Sequence, residues 1–467
     1  MGYRLVRGIA RLLLWLFYRR IEVVGRDRIP LTGPLIVTPN HHNALVDAML
    51  IVATFSRPIR ALAKSTLFRH PLIAPFLWLT GSVPVYRRAE AGDDPRRNDE
   101  MFGAVVGALR AGEAVLIFPE GRSQPQPTVL PLRTGVARIA LGTEETDTQA
   151  GARAGVTILP VGLAYHEPGI FRSASVVVKI GQPLPSADAL TLARREPARA
   201  VRLLTDRLHE AIRAQMVEAE DQHTLDLLVA LEHAWWEEAA RRGEPAGPPD
   251  PGRSLAWRQQ VARGAAALAV TEPDRVRDVR RRLEEYRARL DEVGITGEQL
   301  GRPYTVKLVT RYVGENLLWL ALGLPLALWG IVCHALPYWL TGVAAGLIPS
   351  TPEEEATDKM AAGVVLYPLL WIGEGWGVWR LAGFRALVVF AVLLVPSGLL
   401  ALAWRERLGE VARQARAFFR FLGDRDLHRA LMRERQALVE EVRGLAARVP
   451  AAAAAAPGQV PGGADAR

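Results

Sequence analysis

Residues 316–352 form a run of 37 residues without an Asp, Glu, Lys or Arg. So long an uncharged stretch is rare in soluble helices, whereas a membrane-spanning helix needs about 20 apolar residues. The run is too long for one ordinary span, and Pro325 and Pro337 interrupt it. A kinked long span, a tight hairpin and a re-entrant segment all fit it. Two more apolar runs follow: residues 361–379, with one acid at Glu374, and residues 386–404, with no charge. The segment 313–405 is therefore expected to consist of transmembrane α-helices.

The net charge is +9 with a pI near 10.0, a balance that suits nucleic acid or an anionic membrane surface. Where the charge sits decides between them. The first twenty residues, MGYRLVRGIARLLLWLFYRR, hold five Arg and no acid. Arg4, Arg7 and Arg11 recur at helical spacing beside a broad apolar face, the pattern of a helix lying in a membrane interface. A nucleic-acid arm has no need of that apolar surface, so no nucleic-acid partner is expected. Arg19 and Arg20 close the segment and no small-residue cleavage site follows, so residues 1–20 read as a retained interface helix. The single cysteine, Cys333, excludes an intrachain disulfide and fits an active domain on the cytosolic side. The arginine-rich segment 406–446 reads as a basic cytosolic helix by the positive-inside tendency, and 447–467 as a low-complexity disordered tail.

Residues 21–190 alternate β-rich runs with helical text. IEVVG, PLIVTPN, SVPVYRR, AVLIFPEG, VTILPVGLAY and SVVVKIGQPL read as strands. DAMLIVATF, PLIAPFLWLTG, NDEMFGAVVGALRAG and LRTGVARIALG read as helices. This rhythm predicts a three-layer α/β domain. Residues 191–312 are rich in Arg, Glu, Leu and Ala and read as a helical linker or bundle.

The residues that could carry chemistry begin at TPNHHNALVDAML. The other seven histidines are scattered singly, with no H-x-x-H or H-E-x-x-H pairing, so no metal site is expected. His42 and Asp47 are five apart, which sets their side chains about 140° apart on a regular helix. They can meet if the strand ends at Asn40, His42 sits on the turn and Asp47 opens the helix. Asp47 would then fix the imidazole tautomer while the other ring nitrogen takes a proton. Helix capping by Asn40 and Asn43, with solvated histidines, explains the stretch equally well. The rest of the α/β text favours chemistry. In FPEGRSQ, Glu120, Gly121 and Arg122 follow a strand on a glycine turn, GSVPVYRR delivers Arg87 and Arg88, and ALAKSTLF delivers Lys64. Cations at three strand ends near one histidine suit a phosphorylated substrate.

The ordered blocks HHNALVD, GSVPVYR, FPEGRS and ILPVGLAY resemble those of the glycerolipid acyltransferase family, which includes glycerol-3-phosphate and lysophosphatidate acyltransferases. With the membrane-spanning C-terminal half, the chain looks most like the fungal-type glycerol-3-phosphate/dihydroxyacetone-phosphate acyltransferases and their bacterial relatives. The resemblance implies direct transfer from acyl-CoA or acyl-ACP, as co-substrate without a further cofactor, to a hydroxyl of glycerol-3-phosphate or lysophosphatidate. It implies His42 as general base with Asp47 orienting it, and Arg87, Glu120, Gly121, Arg122 and Lys64 at the acceptor phosphate. The family often has Asn before that histidine, where this chain has His41. No Gly-x-Ser-x-Gly nucleophile elbow occurs, which argues against a serine esterase. The expected setting is an integral membrane protein of a bacterial inner membrane, its active domain facing the cytosol and touching membrane lipids. A catalytically silent lipid-binding scaffold is the competing class; it would not need His42, Asp47 and Arg122 together.

Overall fold

The computed structural model describes residues 2–86, 98–149, 155–166, 175–219, 221–244, 251–301, 306–347 and 354–448. The chain divides into two compact units, one comprising residues 1–225, 251–255 and 350–360, the other 226–250, 256–349 and 361–467.

The first unit is built on a mixed sheet. In chain order its strands are β1 (Arg20–Val24), β2 (Leu35–Pro39), β3 (Ile59–Lys64), β4 (Val83–Val85), β5 (Ala114–Leu116), β6 (Thr157–His166), β7 (Ser175–Ile180) and β8 (Leu184–Pro185). Their spatial order is β1-β7-β6-β2-β5-β3-β4, with β8 paired to β6. The run β6-β2-β5-β3-β4 is parallel, while β7 and β8 lie antiparallel to β6. β3 was expected only through Lys64 at its end and not as one of the named strand runs: its sequence IRALAK mixes charged and small residues, and its register against β5 makes it a strand.

Helices cover both faces. Successive strand residues point to opposite sides. Leu35 and Val37 of β2 therefore join one core with α1 (Gly2–Phe17) and α2 (Ala44–Thr54), through Leu14, Leu50 and Ile51. Ile36 joins a second core with Val105 and Leu109 of a helix at Asn98–Arg110, Val136 and Ala140 of one at Gly135–Gln149, and Leu204 and Leu208 of one at Pro197–Arg213. Burial on both sides explains why β2 reads as the near-continuous apolar run LIVTP. The result is the α/β three-layer domain, and its parallel strands place the ends of β2, β3, β4 and β5 along one edge. Ligands of open α/β sheets gather at that carboxyl edge.

The second unit is helical. Leu231, Leu283, Tyr286, Leu290, Leu431 and Leu438 share its core. The helices Gln222–Arg241, Pro273–Val293 and Arg425–Ala446 that supply them are laced by ion pairs such as Arg282 with Glu441, and Arg289 with Glu434 at 2.9 Å. Among the described residues, two helices are long and apolar enough to cross a membrane, one within Val306–Leu347 and one within Glu355–Gly423. Among the alternatives left by Pro325 and Pro337, the first is a single continuous helix. The second breaks at Gly383, whose φ of 80° is non-helical. A Cβ on Gly375 would lie 3.3 Å from Leu387, although a straight helix would hold the two positions about 18 Å apart. The chain therefore folds back at Gly383, and the apolar runs 361–379 and 386–404 become its two arms.

Candidate active site

The site grows from the carboxyl end of β2. Asn40 is buried there. It donates from Nδ2 to the Leu163 carbonyl at 3.0 Å and accepts the Leu163 N–H at Oδ1, 2.6 Å. This two-way clasp to β6 ends β2 and turns the chain into the His41–His42 loop. Asn43 precedes α2, and Ala44 enters it at φ 36°, a left-handed conformation that a side chain adopts only under constraint.

The constraint is Asp47, which is fully buried in the first turn of α2. Its Oδ2 accepts the main-chain N–H of His42 and of Asn43, each at 2.8 Å, and the Nδ1 of the His41 ring, also at 2.8 Å. The helix N-terminus favours the carboxylate there. The expectation paired Asp47 with the ring of His42; the structure brings it to the ring of His41 and meets His42 only at its peptide. Because the carboxylate clasps the His42 N–H, that side chain projects the other way, where Nδ1 lies 3.0 Å from the Gln124 carbonyl. A carbonyl only accepts, so His42 carries its proton on Nδ1 and leaves Nε2 as the basic nitrogen. That Nε2 is enclosed and has no hydrogen-bond partner among the described residues. Burial outweighs the Gln124 and Asp47 contributions and pushes the His42 pKa down. Held by Asp47, His41 likewise donates from Nδ1, which leaves Nε2 as its basic nitrogen, and its ring stacks on Phe118 at 3.8 Å.

A second loop, after β5, locks onto the first. Glu120 accepts the His41 N–H at 2.8 Å through Oε1 and the Leu130 N–H at 3.1 Å through Oε2, while the Gln124 N–H donates to the His41 carbonyl at 3.0 Å. Both Glu120 oxygens are thus engaged with main chain, and the residue shapes the loops. Burial raises its pKa to about 7, against the lowering effect of the two N–H donors. Gly121 follows with φ 75°, and Arg122 is exposed. The Arg133 side chain lies across the same turn, its Nε 3.0 Å from where a Cβ on Gly121 would stand. Lys64 is exposed at the end of β3, along the same edge of the sheet. Arg87 and Arg88 lie outside the described residues.

Three residues of this site were not singled out from the sequence. Gln124 closes FPEGRSQ and Tyr165, whose phenol donates to Oδ1 of Asp47, closes ILPVGLAY, so the blocks held them without marking their partners. Arg133 follows a Pro-rich stretch and lacked any signal beyond its charge. Among the described residues no group of three or more His, Cys, Asp or Glu side chains is placed to hold a metal ion.

The loops after β2 and β5 thus bring a buried carboxylate onto an imidazole beside an exposed arginine on a glycine turn, an arrangement suited to moving a proton next to an anionic group. Residues 20–164 match the family model described as Acyltransferase, and this α/β region is similar to glycerol-3-phosphate and 1-acyl-sn-glycerol-3-phosphate acyltransferases. It is 26% identical to the 1-acyl-sn-glycerol-3-phosphate acyltransferase of Borreliella burgdorferi, over 44% of this chain and 78% of that protein. It is also 26% identical to glycerol-3-phosphate O-acyltransferase 2 of Saccharomyces cerevisiae, over 45% of this chain and 27% of the yeast protein. It therefore spans about a quarter of the yeast relative. The crystal structure of the 1-acyl-sn-glycerophosphate acyltransferase PlsC from Thermotoga maritima aligns with 43% of this chain and 79% of its own, at 22% identity and a TM-score of 0.31.

Proposed function

We propose that this protein transfers a fatty acyl group from acyl-CoA or acyl-ACP to the sn-1 hydroxyl of glycerol-3-phosphate, as an integral protein of a bacterial inner membrane with its α/β domain facing the cytosol. The observation that carries this reading is the 2.8 Å contact between the His41 imidazole and the buried Asp47 carboxylate, set beside the Gly121–Arg122 turn. With Nδ1–H held by Asp47, Nε2 of His41 takes the proton of the acceptor hydroxyl as its oxygen attacks the thioester carbonyl. The tetrahedral adduct collapses by breaking the C–S bond, and the imidazolium returns the proton to the departing thiolate. Asp47 stabilises the imidazolium meanwhile. A thioester is already activated, so base and positioning suffice. Arg122 and Arg133 supply charge-assisted hydrogen bonds to the acceptor phosphate, with Lys64 and Arg87 as further cations for it.

The His42 ring is the second candidate base, because its Nε2 is unpartnered and burial keeps it neutral. For the acceptor, lysophosphatidate is the second reading, supported by the match to most of the B. burgdorferi protein's length.

The test is acyl transfer by membranes containing the protein, with labelled palmitoyl-CoA offered against glycerol-3-phosphate or lysophosphatidate. Label in lysophosphatidate that disappears in His41→Ala supports the main reading. Label only in phosphatidate moves the acceptor, and activity kept in His41→Ala but lost in His42→Ala moves the base. No label from either acceptor, with acyl-CoA or acyl-ACP, leaves the silent scaffold.

A further inference from the structure

The Asp47 carboxylate has two oxygens, and the acyl-transfer reading above uses one. Oδ2 already serves the His41 ring and two peptide N–H groups. Oδ1 accepts the phenol O–H of Tyr165, from the far end of β6 and 118 positions along the chain. Tyr165 is buried at 7% exposure, and its ring centroid lies 6.2 Å from that of Tyr18. The Tyr18 hydroxyl in turn accepts Nδ2 of Asn43 at 3.0 Å. We propose that Tyr165 is a positioning residue of the base: its phenol holds the far oxygen of Asp47, so that the near oxygen stays aimed at His41.

The physical case has two parts. A carboxylate on a short side chain can rotate about χ2, and donors on one oxygen alone leave that rotation to packing. A donor on the opposite oxygen, from a different strand, fixes the carboxylate plane. Burial and the adjacent Asp47 charge also raise the Tyr165 pKa well above its ordinary value, so the phenol keeps its proton and acts as a donor throughout the working pH range. The charge it draws from Asp47 tempers the pull of the carboxylate on the His41 proton. The charged and titratable groups around Asp47 are His41, His42, Tyr18, Tyr165 and Glu120, with Arg122 facing Glu120. Only the phenol changes in Tyr165→Phe.

That variant, in full-length protein in membranes, decides the matter. Loss of a hydrogen bond to a charged group should lower kcat about 10-fold or more, with the acceptor KM nearly unchanged. The acid limb of the kcat profile should move to higher pH, because the carboxylate, no longer shared, holds the imidazolium proton more tightly. A kcat and acid limb matching the wild type would overturn the assignment, as would a raised KM at unchanged kcat, which would put Tyr165 in the acceptor pocket. A second readout does not need turnover: the pH midpoint of carbethoxylation of His41, read by mass on its peptide, should rise in Tyr165→Phe. An unmoved midpoint rejects the inference. If the wild type transfers no acyl group to either acceptor, the acyl-transfer reading falls, and this midpoint still decides whether Tyr165 bears on the dyad.

Discussion

At the residue scale, the two adjacent histidines separate by what each Nδ1 donates to, a carboxylate for His41 and a carbonyl for His42. Only the first stabilises a charged ring directly, so His41→Ala should cut kcat at least about 100-fold, whereas His42→Ala should cost less. Side-by-side kcat values in membranes check this. The HHNALVD block singles out His42 as the ring that Asp47 holds, and the structure puts Asp47 on the ring of His41 instead. That depends on the carboxylate first clasping the peptide N–H groups of His42 and Asn43, a main-chain detail that side-chain spacing does not encode. Gly121 makes a second residue-scale prediction. Its φ of 75° is strained for any side chain, and an added Cβ would press on the Arg133 guanidine nitrogen at 3.0 Å. Gly121→Ala should raise the acceptor KM severalfold through displaced cations, as should Arg122→Ala through lost charge. A change confined to the thioester KM would remove both from the phosphate site.

At the element scale, the strand ends matter because two loops are tied to each other. Glu120 joins the turn after β5 to the turn after β2 through the His41 N–H, and ties its own segment together through the Leu130 N–H. Its presence in FPEGRS was legible; its role was not, because the sequence offered a carboxylate beside an arginine and nothing on its long-range partners. The pH consequence follows from linkage. Burial pushes the Glu120 pKa up from the ordinary 4.5 to about 7, so its favourable contribution is fully present below pH 4.5 and lost as pH rises through about 7. His42, with its folded pKa lowered by burial, acts oppositely, losing stability as pH falls. Comparing Glu120→Gln with the wild type isolates the first effect. In detergent, the wild-type thermal midpoint followed by tryptophan fluorescence should decline between pH 5 and pH 8 more steeply than that of the variant. Equal slopes would mean that Glu120 is not buried as described. The strands and helices flanking this pair were readable from alternation and turn residues. β3 was not, since its strand character comes from its neighbour β5 and not from its own residues.

At the scale of the whole molecule, the apolar helices were the most legible feature, because absence of charge over such lengths leaves few alternatives. What the text left open was continuity: two prolines lie inside one unbroken helix, while the true break sits at Gly383, whose glycine permits the left-handed φ that reverses the chain. Small residues bring these helices close. A Cβ on Gly330 would fall 2.2 Å from the Ser397 carbonyl oxygen, and one on Gly398 would fall 2.4 Å from the His334 ring, the close approach expected where membrane helices pack. Cys333 lies beside this seam, buried with Phe390 and Leu394, and it is the only thiol among 467 residues. A charged maleimide cannot enter hydrocarbon, and a buried thiol is poorly reactive even where solvent is near. Intact membranes should therefore yield unlabelled protein, and the same membranes dissolved in SDS should yield one label per chain. Labelling before dissolution would place Cys333 at an aqueous surface and remove this helix from the bilayer. Protection that persists through carbonate extraction, with the protein retained in the pellet, would tie the acyltransferase domain to the membrane through these helices and not through the positive charge of the chain alone.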